Sequence, residues 1–458
     1  MQASSHHAER RPRPRILLVA YACHQSESME SRLGFRRALS ASQRHDVTVM
    51  YAMGPEPAEL AQQAAAAGGG EICFQRVEHS DWDRRFCDTT LLYYIGYRGW
   101  HRRVLKEAQA AHAARPFDLV HQVNFCGFRE PGEAWRLDAP FVWGPVGGTE
   151  GYPPRFLNQT NLLGGAREVF RMAVNSWQLR CSRRVHGAGR RAAYVLTANT
   201  AAQQALQKHL GVDSQCDLET GVDLPDCPPR ELRDPSEPLR VLWAGRLKTW
   251  KGLPLLIRAI AQLPPDRRPI VRVLGQGDRE PSWRRLARRH GVADRMQWVG
   301  WPTYDAQLPH YRWADVFAFT SLRDTSGTGL LEALAAGAPI VGLDHSGAGD
   351  IMTPGCAIPV AVRSPKQAIS DFAAALGGLQ DDSERLLRLS RGARRRAEDF
   401  SWEARAAVMD AVYTECLAAT RHRAAAPSSR PLLPTAETQA TLSPVSSACL
   451  LTSSGARR

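Results

Sequence analysis

Two carboxylates, Asp324 and Glu332, stand eight residues apart around the glycine-rich run Asp324-Thr-Ser-Gly-Thr-Gly-Leu-Leu-Glu332. The run reads as a strand end, a tight turn and a short helix that stops at Gly337, with Pro339 preventing its continuation. Such a turn leaves the backbone N–H groups of Thr328, Gly329 and Leu330 unpaired at a helix N-terminus, where donors and dipole together favour a phosphate. An acid beside a phosphate repels it unless the acid accepts hydrogen bonds, and sugar hydroxyls are suitable donors. The pair therefore predicts a sugar carried on that phosphate. A second anion-binding loop is Gly245-Arg-Leu-Lys-Thr-Trp-Lys-Gly252, in which Arg246 can fork onto a diphosphate and Lys251 can reach it as a point charge. The chain has only five lysines, and two of them are in this loop. Both loops follow strands at their carboxyl ends, the side on which open α/β sheets bind ligands, so they are expected to face one pocket.

The elements that must hold these loops are legible as apolar runs without strict alternation, separated by helical patterns, which is how parallel strands covered on both faces read. One series runs through 15–22, 46–52, 71–77, 117–123, 140–144 and 192–199, and a second through 238–245, 269–277, 295–301, 315–321 and 338–343. Between them LPDCPPRELRDPSEP places five prolines in fifteen residues, a linker by composition. The expected fold class is α/β, two doubly wound Rossmann-like domains facing a cleft. The expected division is a disordered N-terminus (1–14), a first domain (15–224), the linker (225–237), a second domain (238–400), a closing helix (401–420) and a low-complexity tail (421–458).

Composition narrows the function. With 458 residues the chain is too long for a single small module, and 43% hydrophobic content is that of a globular protein. A net charge of +13 favours anionic partners, but no helix carries a groove-reading pattern, so phosphate ligands and anionic membrane surfaces are favoured over nucleic acid. Ten scattered cysteines form neither a zinc pattern nor a disulfide framework, which points to a reducing cytoplasm. No stretch approaches the roughly 20 apolar residues of a spanning helix.

GRLKTWKG, VLGQGD, VGW, YRWADVFAFTS and RDTSGTGLLEALAAGAPIV, in that order, resemble the nucleotide-sugar domain of family 4 retaining glycosyltransferases, which have the GT-B fold. The resemblance is dense over 238–400 and thinner in the first domain, where RILLVAYAC, FDLVHQVNFCGFREP, PFVWGPVGG and ETGVD are similar to one branch of the family; SWEARAAVMDAVYTECLAA resembles a final helix returning to the first domain. It implies Arg246 and Lys251 as the diphosphate clamp, Glu332 as partner of the ribose hydroxyls, Asp324 as the acid near the donor sugar, and His121 as a histidine touching that sugar. It also implies transfer from a nucleotide-sugar to a hydroxyl acceptor with retention, without a metal or other cofactor, in bacterial polysaccharide or glycoconjugate assembly. The acceptor would be a saccharide or a lipid-linked molecule, and the enzyme cytoplasmic with peripheral contact to an anionic membrane. Two departures stand out: Asp324 is one methylene shorter than the usual Glu, and the loop CHQSESMESRLGF offers only Gly34 where relatives are richer in glycine.

Other motifs carry less. Asp81-Trp82-Asp83 matches a metal-binding triplet of another fold but reads as a surface turn. Gly275-Gln276-Gly277 is a weak nucleotide signal, and GPVGG (144–148) is either a cleft-facing set of amides or a tight turn. Residues 171–191 could lie on a membrane with Met172, Val174 and Trp177 inward, although a core helix with a basic outer face is the more ordinary reading. Two alternative functions remain open: a nucleotide-sugar epimerase or phosphorylase of related fold, and a catalytically inactive scaffold.

Overall fold

The structure, a computed structural model, describes residues 13–425 apart from 27, 88, 90, 91, 126 and 161. Most of the segments expected to be disordered, and all of 426–458, lie outside the described residues. A first parallel sheet contains β1 (Arg15–Val19), β2 (Asp46–Tyr51), β3 (Ile72–Arg76), β4 (Leu119–Gln122), β5 (Phe141–Val146), β6 (Ala192–Thr197) and β7 (Gln215–Cys216), in the order β3-β2-β1-β4-β5-β6-β7. A second contains β8 (Arg240–Ala244), β9 (Ile270–Leu274), β10 (Met296–Gly300), β11 (Val316–Phe319), β12 (Ile340–Leu343) and β13 (Ala357–Val360), in the order β10-β9-β8-β11-β12-β13. Both orders reverse direction between the first and fourth strands, the switch point where doubly wound sheets open a crevice. Edge strands β7 and β13 were not legible in the sequence, because two- and four-residue strands carry little pattern.

Strand alternation builds two apolar layers per domain. Ile16 and Leu18 of β1 enter one core cluster, Leu17 and Val19 the opposite one, and all four are essentially unexposed. In the second sheet Val241 and Trp243 pack on one face and Leu242 on the other. This two-sided burial explains why the runs lack alternation in sequence.

The chain crosses between the domains twice. Val222 donates its N–H to the Phe400 carbonyl at 2.9 Å, and the helix Trp402–Ala425 returns to pack Trp402, Met409, Val412, Tyr413, Cys416 and Leu417 into the first domain's core. Buried Asp217 pairs with Arg405, and Asp223 with Arg32 and Arg36. The proline-rich linker is seated rather than loose: Arg233 pairs with Asp315, and Arg230 donates to the carbonyls of Tyr311 and Ala336. A strap after β5 also ties the halves together. Tyr152 and Phe156 belong to the second domain's core cluster, Arg155 donates to the Arg363 carbonyl, and Arg258 donates to Gln159 at 2.7 Å. Residues 152–159 thus pack on the second domain although they precede the linker in sequence. Asp81-Trp82-Asp83 begins the helix Asp81–Cys87 rather than forming a turn, with Asp83 accepting from Ser80 and Arg103, so that motif is structural.

Candidate functional site

The two anion loops predicted to face one pocket are bonded to each other. The Leu322 N–H donates to the Trp250 carbonyl at 2.8 Å, and the Thr320 hydroxyl donates to the Lys251 carbonyl at 2.7 Å while accepting from the Trp243 indole. Gly252 allows this approach: it has φ +66°, and a Cβ there would lie 2.2 Å from the Thr320 carbonyl oxygen. Gly275 and Gly277 serve the same end. A Cβ on either would meet the backbone of Gly245 or Leu247 at 2.0 and 2.5 Å, and the Leu247 N–H donates to the Gln276 carbonyl. Their role is thus to let the β9 exit support the Arg246 loop.

On this frame Lys251 forms a salt bridge with Asp324, joining the expected clamp to the expected sugar acid. The Arg246 side chain is exposed on the same loop, without a protein partner among the described residues. The helix Thr328–Ala335 begins after Gly327, which takes φ +65° and offers no side-chain cap. Leu330 is a correction: its N–H donates to the Gly327 carbonyl at 2.8 Å, so the amides left for an anion are those of Thr328 and Gly329. At Gly329 the helix start passes close to Tyr311, where a Cβ would lie 3.2 Å from the hydroxyl. That hydroxyl donates to the Glu332 carboxylate at 2.5 Å, and burial pushes the Glu332 carboxyl up to about 7 despite this bond and the nearby Arg32.

His121 is the second correction. It is fully buried in β4, with Nε2 2.7 Å from the Gly144 carbonyl oxygen and Nδ1 2.7 Å from the Tyr413 hydroxyl. A carbonyl can only accept, so Nε2 carries the proton and Nδ1 accepts from Tyr413. Burial lowers its pKa to about 3. Its side chain ties β4 to β5 and to the returning helix, and does not reach the cleft.

The first domain's wall comes mostly from residues the sequence did not single out as site residues, the exception being Gly148 of GPVGG. Tyr94, Gly127, Phe128, Arg129, Gly148, Glu150 and Arg171 line a pocket of about 280 Å³ with Arg323, Asp324 and Thr325 of the second domain. Buried Glu150 accepts from Asn199 at 2.8 Å and from the Thr325 hydroxyl at 3.3 Å, reaching across the cleft. GPVGG is explained by the same crossing: a Cβ on Gly147 would lie 2.4 Å from the Thr325 methyl. Arg171 and Arg323 both donate to Glu168, at 3.0 and 3.2 Å, whereas among the described residues Arg129 donates only to the neutral Asn175 amide oxygen. Glu219, in the ETGVD segment, accepts from the Ser326 hydroxyl at 2.8 Å and is pushed by burial up to about 7. Glu219 lies in ETGVD, Arg129 in FDLVHQVNFCGFREP and Arg323 at the start of RDTSGTGLLEALAAGAPIV, whereas Arg171 lies outside the motifs that carry the resemblance; as residues spread over nearly 200 positions, the arginines were not legible as one group.

This arrangement can bind a nucleoside diphosphate at Arg246, Lys251 and the free amides, hold ribose hydroxyls at Glu332, and present a sugar to Asp324 beside the first-domain pocket wall. Residues 229–396 match the family described as glycosyl transferases group 1. A D-inositol 3-phosphate glycosyltransferase of Corynebacterium glutamicum is 31% identical over 204 residues, covering 41% of this chain and 46% of that protein. A glycogen synthase of Mycobacterium tuberculosis is 30% identical over 201 residues, covering 43% and 47%. The chain thus spans about half the length of the curated relatives it matches. Among solved structures, Anabaena HepE in complex with UDP superposes with a TM-score of 0.58 at 17% identity, covering 88% of this chain and all of that one. Sucrose-phosphate synthase of Thermosynechococcus elongatus gives 0.60 at 18%, covering 89% and 100%. The chain has the GT-B fold, and residues 229–396 of its second domain match the model of the glycosyl transferases group 1 family.

Proposed function

We propose that the protein transfers a glycosyl unit from a nucleotide-sugar to a hydroxyl acceptor with retention of configuration, in bacterial polysaccharide or glycoconjugate assembly. The observation that carries this reading is the contiguity of exposed Arg246, the Lys251–Asp324 pair, the free amides of Thr328 and Gly329, and Glu332 beneath Tyr311. The names of the relatives, which are sugar-transferring enzymes, and the UDP in HepE support it.

In the proposed reaction the bond between the sugar's anomeric carbon and the phosphate oxygen breaks, and a bond to the acceptor oxygen forms on the same face. The acceptor's proton passes to an oxygen of the departing nucleotide. Negative charge grows on that phosphate as the bond lengthens, and Arg246, Lys251 and the Thr328 and Gly329 amides are placed to stabilise it more than they stabilise the ground state. Asp324, already neutralised by Lys251, can accept from a sugar hydroxyl without repelling the diphosphate. Glu332 accepts from the ribose.

The test is incubation of the protein with UDP-, GDP-, ADP- and dTDP-sugars and a panel of saccharide and lipid-linked acceptors, with the product's anomeric configuration read by NMR. A product carrying the donor's configuration is expected. Inverted product would overturn retention, and isomerised nucleotide-sugar without transfer would favour an epimerase.

A further inference from the structure

The helix Leu162–Cys181 has one face in the cleft and the opposite face bare. Arg171 and Asn175 enter the site wall, buried Glu168 lies beside them, and Met172 packs against the second domain's core. Facing away are Leu162, Leu163, Phe170 and Trp177, with 94, 81, 71 and 62% of their surface exposed, together with Val169 at 49%. At 100° per residue these five fall within an arc of about 120°, opposite the buried stripe. Of the side chains read from the sequence as facing a membrane, Trp177 is exposed on this face, whereas Met172 packs against the second domain's core.

Exposed apolar side chains of this size on one helix mark a contact surface. Charge identifies the partner. Residues 162–191 contain seven arginines and one acid, and that acid, Glu168, is buried and paired inside the protein. Arg167, Arg180, Arg183, Arg190 and Arg191 are exposed, and none forms an ion pair among the described residues. A second copy of the helix would bring the same positive charges together, whereas a surface of anionic lipid satisfies them while accepting the apolar side chains.

We propose that the helix Leu162–Cys181 docks the protein on an anionic bilayer, with Leu162, Leu163, Val169, Phe170 and Trp177 in the headgroup boundary and Arg167 and Arg180 of the same helix at the phosphates. Because the opposite face of this helix forms part of the pocket wall, docking places the pocket beside the lipid surface. On the glycosyltransferase reading, the acceptor is then a hydroxyl carried by a lipid; the docking itself does not depend on that reading.

The experiment is co-sedimentation of the full chain with vesicles of phosphatidylcholine alone or mixed with phosphatidylglycerol, and analytical ultracentrifugation without vesicles. The wild type is expected to bind the mixed vesicles, on the order of tenfold more weakly when salt is raised or phosphatidylglycerol omitted. Phe170→Ser/Trp177→Ser should lose roughly tenfold or more in vesicle affinity while its melting temperature and nucleotide binding stay at wild-type values. Equal vesicle binding by that variant, no binding by the wild type, or a concentration-dependent dimer that the variant abolishes would each overturn the proposal. Loss of transfer with vesicle binding intact would count against the glycosyltransferase reading alone.

Discussion

The two walls of the cleft are built in opposite ways. The second domain supplies Arg246, Lys251, Asp324, Thr328, Gly329 and Glu332 from two short loops clamped together through Gly252 and Thr320. The first domain supplies Gly127, Arg129, Gly148, Glu150 and Arg171 from separate segments, brought together only by the β4–β5 pairing and the helix Leu162–Cys181. The difference is one of job. On the proposed function, a diphosphate is the same in every donor and rewards a compact set of charges and amides, while the other substrate varies and would be met by side chains drawn from wherever the fold allows.

The sharpest way to break this comparison is Lys251→Ala. It removes a cation from the phosphate loop and leaves Asp324 unpaired beside it, so turnover should fall by about 10²–10³ and nucleotide binding weaken by about 1.5–3 kcal/mol. Adding Asp324→Asn should restore part of the nucleotide affinity, measured by calorimetry, but not turnover. Unchanged affinity in Lys251→Ala would remove that residue from the clamp.

Glu332 allows a pH test of the same wall. Its carboxyl holds a proton up to about 7 in the folded protein against 4.5 for the unperturbed group. The folded state therefore binds the extra proton between those values, and its contribution to stability is fully present below about 4.5 and declines as pH rises towards 7. Ribose hydroxyls favour the ionised form, so nucleotide affinity should rise by up to about tenfold from pH 6 to pH 8, with a proton released on binding. Glu332→Gln should bind more weakly and flatten the profile; an unaltered pH dependence would place the titrating group elsewhere, with Glu219 the next to examine.

In the first domain, Arg129→Ala should raise the acceptor KM several-fold and leave donor affinity unchanged, since its guanidinium is held only by Asn175 at the pocket rim. Equal loss of donor affinity would assign that wall to the donor sugar. The smallest effect on chemistry is expected for His121→Ala. It should lower stability by about 2–4 kcal/mol, because Gly144 and Tyr413 lose buried partners, with kcat/KM of the folded fraction unchanged.

Legibility followed locality. The turn at Gly327, its flanking acids and the lysine loop are readable because their geometry is set within a dozen residues, as are the central strands, whose Val, Leu and Ile runs need cover on both faces. His121 had the right residue type near the right strand, but side-chain direction in a strand alternates with each position, and its position points to the returning helix. Leu330 misled for a subtler reason: a turn of three residues looks like three free amides until one of them closes the turn.

Residue order alone determined that two parallel sheets would form, where each would turn, and that one glycine-rich turn would meet one basic loop, because these follow from burial patterns and backbone chemistry over short spans. Tertiary structure decided which amides stay free, that Lys251 meets Asp324, that Thr325 passes Gly147 to reach Glu150, and which face of the helix Leu162–Cys181 is left bare. Those outcomes depend on contacts between segments far apart in the chain, whose distances are set by packing rather than by any local preference.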